Sequence, residues 1–333
     1  MISILMIPSN PRDRSVWMAQ EWAKRNVRIA MPHFFGFKVK GLTFLSYLIY
    51  CLFWSLFSQF DVIFCWECLP SGFIGLLIKL MKRKPLVTYI VDNTVNLRRS
   101  RSNPSPIWVK LMTWFQNLVV KNADKLIIID DSLMPWLRSW STRIEVIPFG
   151  VKIELFNIPS QPHDKINIMY IGGFEPHHGV HLLLEASSMF SERTDLHFYF
   201  IGPPKTINQP NITFTGWVPY TELGEYVKIA DIMVVPPCPK YPYVSVITNK
   251  LMEAMASGKP IIATGIGGIP KFRDCLYIIN PTTKEIADAI IDLASNAELR
   301  KKLATTAKDK AVQNFNWSKN VKKILKSIQK VPR

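Results

Sequence analysis

The stretch TNKLMEAMASGKPIIATGIGG, residues 248–268, changes from helical spacing to strand spacing and ends in glycines. Its first half has the spacing of a helix, and Gly258 is the expected left-handed residue that ends it. The β-branched run after Pro260 is typical of a strand buried on both faces. Glycines follow at the carboxyl end of that strand, where a backbone without side chains can approach a ligand closely. A helix, a buried strand and a glycine turn in this order indicate a parallel α/β sheet.

The same alternation extends over the whole chain of 333 residues. The predicted strands are 2–7, 27–31, 61–66, 86–91, 125–129 and 143–147, followed by 166–171, 196–201, 212–215, 232–235, 260–264 and 276–279. The predicted helices are 15–24, 72–82, 107–122, 180–190, 220–228, 246–257, 284–295 and a basic tail from 298 onward. Strands that alternate with helices predict an α/β fold with doubly wound parallel sheets.

The polar linker IPSQPHDK, residues 158–165, separates two such alternating halves. We therefore expect an N-terminal Rossmann-like domain over 1–157 and a second one from 158 to about 310. Ligands of such sheets bind at the carboxyl ends of the strands, and a cleft between the two domains is expected to be a small-molecule site.

Charge is distributed unevenly along the chain, which has a formal net charge of +16. Residues 1–150 carry 19 basic and 9 acidic residues, residues 151–299 carry 11 and 15, and residues 300–333 carry 11 and 1. A basic first half and tail favour phosphorylated substrates, anionic lipid or nucleic acid as partners. The five cysteines do not form a disulfide pattern, and Cys65 and Cys68 lack a second ligand pair for a metal. These cysteines predict a reducing compartment.

Residues 41–60, GLTFLSYLIYCLFWSLFSQF, contain no charge. Their length allows a transmembrane helix, but polar residues dilute the run and a predicted strand follows directly. A buried helix is the preferred interpretation, and a membrane-surface helix and a true span remain the alternatives. The N-terminal MISILMIP has no basic leader and is predicted as the first strand rather than a signal peptide.

Glu253 lies inside the predicted helix of the opening stretch, one turn after Asn249 and close to Lys250. A carboxylate can accept hydrogens from two hydroxyls at once, which is what a ribose diol offers. The alternative is an exposed Lys–Glu pair that contributes little free energy.

A second stretch, YIGGFEPHHGVHLLLEA, residues 170–186, places Gly172 and Gly173 between a strand and a helix that starts near His178. A glycine turn followed by a helix N-terminus can bind a diphosphate, and His178 could add a donor. The alternative is a tight strand-to-helix turn without a ligand.

Together with PFGVKIELF (148–156), FTGWVPYTELGEYVKIADIMVVPP (214–237), NKLMEAMASGKPIIATGIGGIPK (249–271) and the tail at 299–325, these stretches resemble glycosyltransferase family 4. This family comprises retaining nucleotide-sugar glycosyltransferases of GT-B fold. The resemblance is nearly continuous over the second half. In the first half it is limited to the general pattern and to NADKLIIIDDSL, residues 122–133.

The resemblance implies a role for each matching position. Glu253 would hold the ribose hydroxyls of the donor, and the tail helix, 311–333, would pack back on the first domain. The other expected donor-binding residues are Gly172, Gly173, His178, Gly202, Trp217, Val218, Thr248, Asn249 and Lys250. Trp217 and Val218 would lie beside the base, and Gly172 and Gly173 would face the diphosphate.

This chain departs from the family pattern at several positions. Gly173 stands where the family often has Arg, and His178 where it often has Lys. Ser245 stands where a second Glu is common. Asp92 and Asn93 follow the strand after which many members have His, and SNPRDRS, residues 9–15, replaces an N-terminal glycine loop. The catalytic candidates are therefore Asp92, Glu253 and Ser245, with Asp92 on the acceptor side.

The expected reaction is transfer of a sugar from a UDP- or GDP-sugar to a glycan or lipid-linked acceptor, with retention of configuration. The resemblance implies neither a metal nor another cofactor. LLIKLMKRK (76–84), three arginines at 98–101 and an aromatic helix at 107–119 favour an anionic membrane surface at the cytoplasmic face. Two alternatives are a nucleotide-sugar epimerase and a non-catalytic carbohydrate- or nucleic-acid-binding protein. Nucleic acid is not the expected partner.

Overall fold

A computed structural model describes residues 2–8, 15–32, 42–141, 143–158, 161, 163–244 and 247–332. The chain forms two compact units. The first extends to Phe149 and includes the described parts of 243–245 and 318–333. The second comprises the described parts of 150–242 and 246–317. Each unit is built on its own parallel sheet of six strands.

The sheet of the first unit has the strand order β2-β1-β3-β4-β5-β6, and every neighbouring pair is parallel. Its central strands are buried along their whole length, which explains their continuous apolar sequence. The strands are β1 (Ser3–Ile7), β2 (Arg28–Ala30), β3 (Val62–Trp66), β4 (Leu86–Ile90), β5 (Lys125–Ile128) and β6 (Ile144–Val146).

Helices connect these strands, as parallel neighbours require. They are α1 (Ser15–Ala23), α2 (Leu42–Phe57), α3 (Phe73–Lys82), α4 (Thr94–Arg101), α5 (Pro106–Asn122) and the short α6 (Met134–Leu137). The sequence did not predict α4. Its start is fixed by Asn93, whose side-chain oxygen accepts a hydrogen bond from the Asn96 amide at 3.0 Å.

Helix α2 forms within the uncharged stretch 41–60, and the preferred interpretation as a buried helix is correct for one face only. Tyr47 and Cys51 are buried on that face. The opposite face exposes large apolar side chains at Leu45, Ile49, Phe53, Leu56 and Phe57, each between 49% and 75% exposed. A stretch that is apolar all round gives no periodic signal, so the sequence could not show which face is covered. Within the described residues, the structure contains no helix of sufficient length and apolarity to cross a membrane.

The sheet of the second unit has the order β12-β11-β10-β7-β8-β9, again with parallel neighbours throughout. The strands are β7 (Ile166–Ile171), β8 (Leu196–Ile201), β9 (Ile212–Gly216), β10 (Ile232–Val235), β11 (Ile261–Thr264) and β12 (Tyr277–Ile279). The helices are α7 (Val180–Ser188), α8 (Leu223–Val227), α9 (Asn249–Ala256), α10 (Thr283–Ser295) and α11 (Ala297–Asn314). This strand order is that of a dinucleotide-binding Rossmann sheet.

The last helix, α12 (Trp317–Gln329), begins in the second unit, and its remaining residues belong to the first. The indole nitrogen of the fully buried Trp22 donates a hydrogen bond to the carbonyl of Val321 at 3.0 Å. Ser327 donates to Glu145 at 2.6 Å, and Glu145 is also paired with Lys125 at 2.7 Å. These contacts join α12 to α1 and to the edge strand β6 within the first unit.

Candidate functional site

The strand order of the second unit changes direction between β7 and β10, which are neighbours in the sheet. Connections from these two strands lead to opposite sides, so a crevice forms at their carboxyl ends. The glycine turn after β7 and helix α9, which follows β10 along the chain, meet there. This is the place where the sequence predicted a ligand site.

Gly172 and Gly202 bring neighbouring segments close together at this crevice: a side chain at Gly202 would overlap the backbone of Gly172, and one at Gly172 would meet the end of the Lys250 side chain. Gly172 has φ of 137°, and its amide donates to the carbonyl of Ile201 at 2.8 Å. A Cβ on Gly172 would lie 2.7 Å from the Lys250 Nζ, and a Cβ on Gly202 would lie 2.1 Å from the Gly172 carbonyl oxygen. The glycines therefore bring the turn against the side chain of Lys250.

Lys250 is positioned by a chain of hydrogen bonds that ends on the glycine turn. Its Nζ donates to the Tyr170 hydroxyl at 2.9 Å, and that hydroxyl donates to the Gly173 carbonyl at 2.6 Å. The Nζ also lies 4.9 Å from the centre of the Tyr170 ring. Burial lowers the pKa of Lys250 to about 7, although the carboxylates of Glu175 and Glu253 oppose this shift. An added anion beside this ammonium group would favour its charged form.

The turn that precedes α7 places an imidazole beside a carboxylate. His178 Nε2 lies 3.4 Å from a carboxylate oxygen of Glu175. Gly179 has φ of 68°, and a Cβ there would be 1.7 Å from the Pro236 carbonyl oxygen. The backbone of this turn is therefore held against the segment that follows β10, with the Cys238 amide donating to the His177 carbonyl at 2.9 Å.

Helix α9 supplies the remaining predicted donor residues from its first two turns. Glu253 is only 6% exposed, three residues after Lys250 and four after Asn249, so all three lie close together on the helix. Thr248 precedes the helix without capping it. Its buried hydroxyl makes no hydrogen bond within the part of the chain that the structure describes. A buried hydroxyl of this kind is available to a polar ligand.

Trp217 and Val218 follow β9, which lies at the edge of the sheet, two strands from the crevice. Gly216 ends that strand with φ of 76°. Trp217 is 66% exposed, as expected for an aromatic ring with no covering group. Val218 is partly buried. The contact of Trp217 and Val218 with a nucleotide base stays a prediction.

The catalytic candidates outside α9 belong to other parts of the chain. Asp92 lies in the first unit, two residues after β4 and before the Asn93 that caps α4. It is therefore at the carboxyl edge of its own sheet. Ser245 lies outside the described residues.

Two residues of the site, Tyr170 and Glu175, were not predicted. Tyr170 is fully buried at the end of β7, and its contacts link the glycine turn to Lys250. A tyrosine among apolar strand residues resembles any core residue, so only its position two residues before the glycines could have indicated this role. Glu175 is within the quoted stretch and lies opposite His178.

No group of three or more His, Cys, Asp and Glu side chains suited to a metal is found among the described residues. Cys65 and Cys68 are buried, and burial raises the pKa of both thiols well above the usual value. A thiol in such surroundings is unreactive.

Two Rossmann-like units and a glycine turn at the crevice of the second define a two-domain α/β protein of the GT-B class. Residues 165–296, which contain the whole glycine turn and α9, match the family model described as Glycosyl transferases group 1. This match identifies residues 165–296 as a group 1 glycosyltransferase domain, as the sequence motifs indicated.

Curated relatives carry the same description, and solved structures share the fold. An uncharacterized glycosyltransferase of Methanocaldococcus jannaschii is 25% identical over 289 residues, covering 81% of this chain and 76% of that protein. Sucrose-phosphate synthase from Thermosynechococcus elongatus superposes with a TM-score of 0.79 at 15% identity, covering 98% of both chains. The Anabaena protein HepE in complex with UDP gives 0.73 at 13% identity, covering 99% of this chain and 100% of that one. The structural matches show the fold.

Proposed function

We propose that this glycosyltransferase moves a sugar from a UDP- or GDP-sugar to a hydroxyl of a glycan or lipid-linked acceptor, with retention of configuration. The observation that carries the proposal is Lys250 Nζ, held against the glycine turn, with the buried Glu253 one turn further along α9. Lys250 and the glycine turn are suited to bind the diphosphate of a nucleotide sugar, and Glu253 is suited to bind its ribose. HepE, a protein of the same fold, was solved with UDP.

The chemistry assigned to these residues is stabilisation of a leaving diphosphate. The bond between the sugar C1 and the diphosphate oxygen breaks, and the acceptor oxygen bonds to C1 on the same face. The acceptor proton passes to the departing diphosphate. Lys250 and the backbone of residues 172–173 offset the negative charge that develops on the leaving group. Glu253 binds the ribose, and Asp92 orients the acceptor hydroxyl. Ser245 is a further candidate, and the proposal includes no metal.

The function is tested by incubating the protein with UDP- and GDP-sugars in the presence and absence of a membrane lipid extract. We expect nucleotide release that depends on the extract, and a product whose anomeric configuration equals that of the donor. Free sugar or a free epimer without the extract would instead support a nucleotide-sugar epimerase. Nucleotide binding without turnover under any of these conditions would support a non-catalytic protein.

We also propose that the first unit binds the cytoplasmic face of a membrane through α2, α3 and α5. Helix α3 packs beside both of the others. Their solvent faces expose ten large apolar side chains: Leu45, Ile49, Phe53, Leu56, Phe57, Leu80, Met81, Ile107, Leu111 and Trp114. Basic residues 82–84 end α3, and Lys82 Nζ donates to the Leu56 carbonyl at 2.9 Å. Exposed apolar side chains beside basic residues are typical of surfaces that bind anionic lipid.

The membrane proposal predicts that the protein binds vesicles containing phosphatidylglycerol and binds phosphatidylcholine vesicles less strongly. Replacing Phe53 and Phe57 together by serine should lower the partition coefficient about tenfold or more, because two exposed aromatic side chains no longer enter the lipid. Met189→Ser, at an exposed position of the second unit, is the matched control and should leave binding unchanged. Equal binding by the double variant and the wild type in flotation assays would contradict the proposal.

A further inference from the structure

The first unit contains a cavity of about 510 Å³ that the donor-binding residues do not use. It lies between the short turn Cys68–Gly72 that follows β3, helix α4 that follows β4, and helix α5. We call it the α4–α5 cavity. Its volume is within the range of sites that enclose a small molecule.

The α4–α5 cavity lies at the same edge of the sheet as Asp92. The turn after β3 and the end of β4 are joined there, because a Glu67 carboxylate oxygen accepts a hydrogen bond from the Val91 amide at 3.2 Å. Asp92 is the next residue, and Thr94, two residues later, lines the cavity. A molecule in the cavity would therefore lie close to Asp92, the residue that we assign to orienting the acceptor hydroxyl.

The wall of the cavity is mainly apolar and aromatic. Phe73 and Phe115 meet edge to face with their ring centres 4.7 Å apart, and Trp108 and Met112 continue the wall along α5. All four side chains are only partly buried. Covering apolar surface of this kind with a hydrocarbon chain is favourable, at about 25 cal/mol for each Å² removed from water.

Two polar groups of α4 face this apolar wall. The buried hydroxyl of Thr94 makes no hydrogen bond to any described residue. Arg98, one turn further along the same helix, lines the cavity and is exposed. No carboxylate in the described ranges pairs with its guanidinium, which can bind a phosphate through two parallel hydrogen bonds. Arg99 and Arg101 add positive charge at the end of α4.

We propose that the α4–α5 cavity binds the acceptor as an amphiphile: its hydrocarbon chain lies against α5, and its phosphate binds Arg98 beside the Thr94 hydroxyl. The proposal rests on the proposed function, and it specifies the acceptor as a phosphate-containing lipid whose head group also carries the reacting hydroxyl. Helix α5 also exposes Ile107, Leu111 and Trp114, so the apolar surface of the cavity continues onto the proposed membrane face. The remaining chain of the lipid would extend along that face.

The test uses farnesyl phosphate, below its micelle concentration, as a probe that carries both features. Titration into the full chain is followed by Trp fluorescence and calorimetry, with farnesol and inorganic phosphate as the two partial probes. We expect micromolar binding of farnesyl phosphate, binding of farnesol that is weaker by about tenfold or more, and no measurable binding of inorganic phosphate. Inorganic phosphate binding as tightly as farnesyl phosphate would overturn the proposal.

Two variants locate the binding. Arg98→Gln should weaken farnesyl phosphate about tenfold or more and leave farnesol unchanged, because only the charged hydrogen bonds are removed. Met112→Trp, which fills the cavity, should weaken both probes. Unchanged farnesyl phosphate affinity in either variant would overturn the proposal. Both variants should retain the thermal unfolding midpoint and the nucleotide affinity of the wild type. If the wild type binds no nucleotide, that result contradicts the proposed function rather than the proposal about the cavity.

Discussion

Glu253→Ala is expected to weaken binding of the nucleotide sugar by about 100-fold, and to lower its turnover at subsaturating concentration by the same factor. The buried carboxylate is assigned to two ribose hydroxyls, and hydrogen bonds to a charged group contribute about 1.5–3 kcal/mol each. Two such bonds account for the expected factor even when water partly replaces them. Calorimetric titration of the preferred nucleotide sugar measures the change directly.

The isosteric variant Glu253→Gln separates the charge from the shape of the side chain. An amide oxygen still accepts a hydrogen bond, so Glu253→Gln should lose less affinity than Glu253→Ala. The exposed variant Glu192→Ala is the control. Glu192 lies in the same unit and should behave as the wild type. Wild-type affinity in Glu253→Ala, with the fold retained by circular dichroism, would remove this residue from the site.

Lys250→Met is expected to weaken the nucleotide sugar strongly at pH 6 and much less at pH 8.5. Burial lowers the pKa of Lys250 to about 7 in the free protein, so the ammonium form dominates below that pH. The diphosphate binds the ammonium form and raises its pKa. Affinity of the wild type should therefore be highest below pH 7 and fall, by at most about tenfold per unit, as pH rises above 7.

The diphosphate of a nucleotide sugar keeps the same charge over this pH range, so a change in affinity reports on the protein. Titrations of the wild type from pH 6 to 8.5 should show the fall, and Lys250→Met should give a flat profile. Lys205→Met, an exposed position of the same unit, is the matched control and should keep the wild-type profile. A flat wild-type profile together with wild-type affinity in Lys250→Met would show that Lys250 does not contact the diphosphate.

The strands of both sheets could be predicted from the sequence within one residue at each end, for a physical reason. Strands such as β3 and β10 are buried on both faces, so their apolar runs are continuous and end abruptly at turns. Gly172, Gly202 and Lys250 could be assigned to one site because the motif context fixes them. The close packing of Lys250 against Gly172 gives that assignment its geometric explanation.

Features that depend on three-dimensional contacts could not be predicted. The hydroxyl of Tyr170 joins Lys250 to the glycine turn, but no spacing distinguishes this tyrosine from a core residue. The sequence could not show which face of α2 is exposed, because the helix carries apolar residues on every side. The α4–α5 cavity is formed by residues from three separate segments, and α4 itself carries little apolar sequence that could have predicted it.

The most direct measurement of the central claim is calorimetric titration of the wild-type chain with UDP, GDP and ADP. A diphosphate site between the glycine turn and α9 predicts micromolar binding of at least one of them, with preference for one base. Absence of binding by all three nucleotides, with the protein folded, would contradict the account of the second unit as the donor-binding part of a glycosyltransferase.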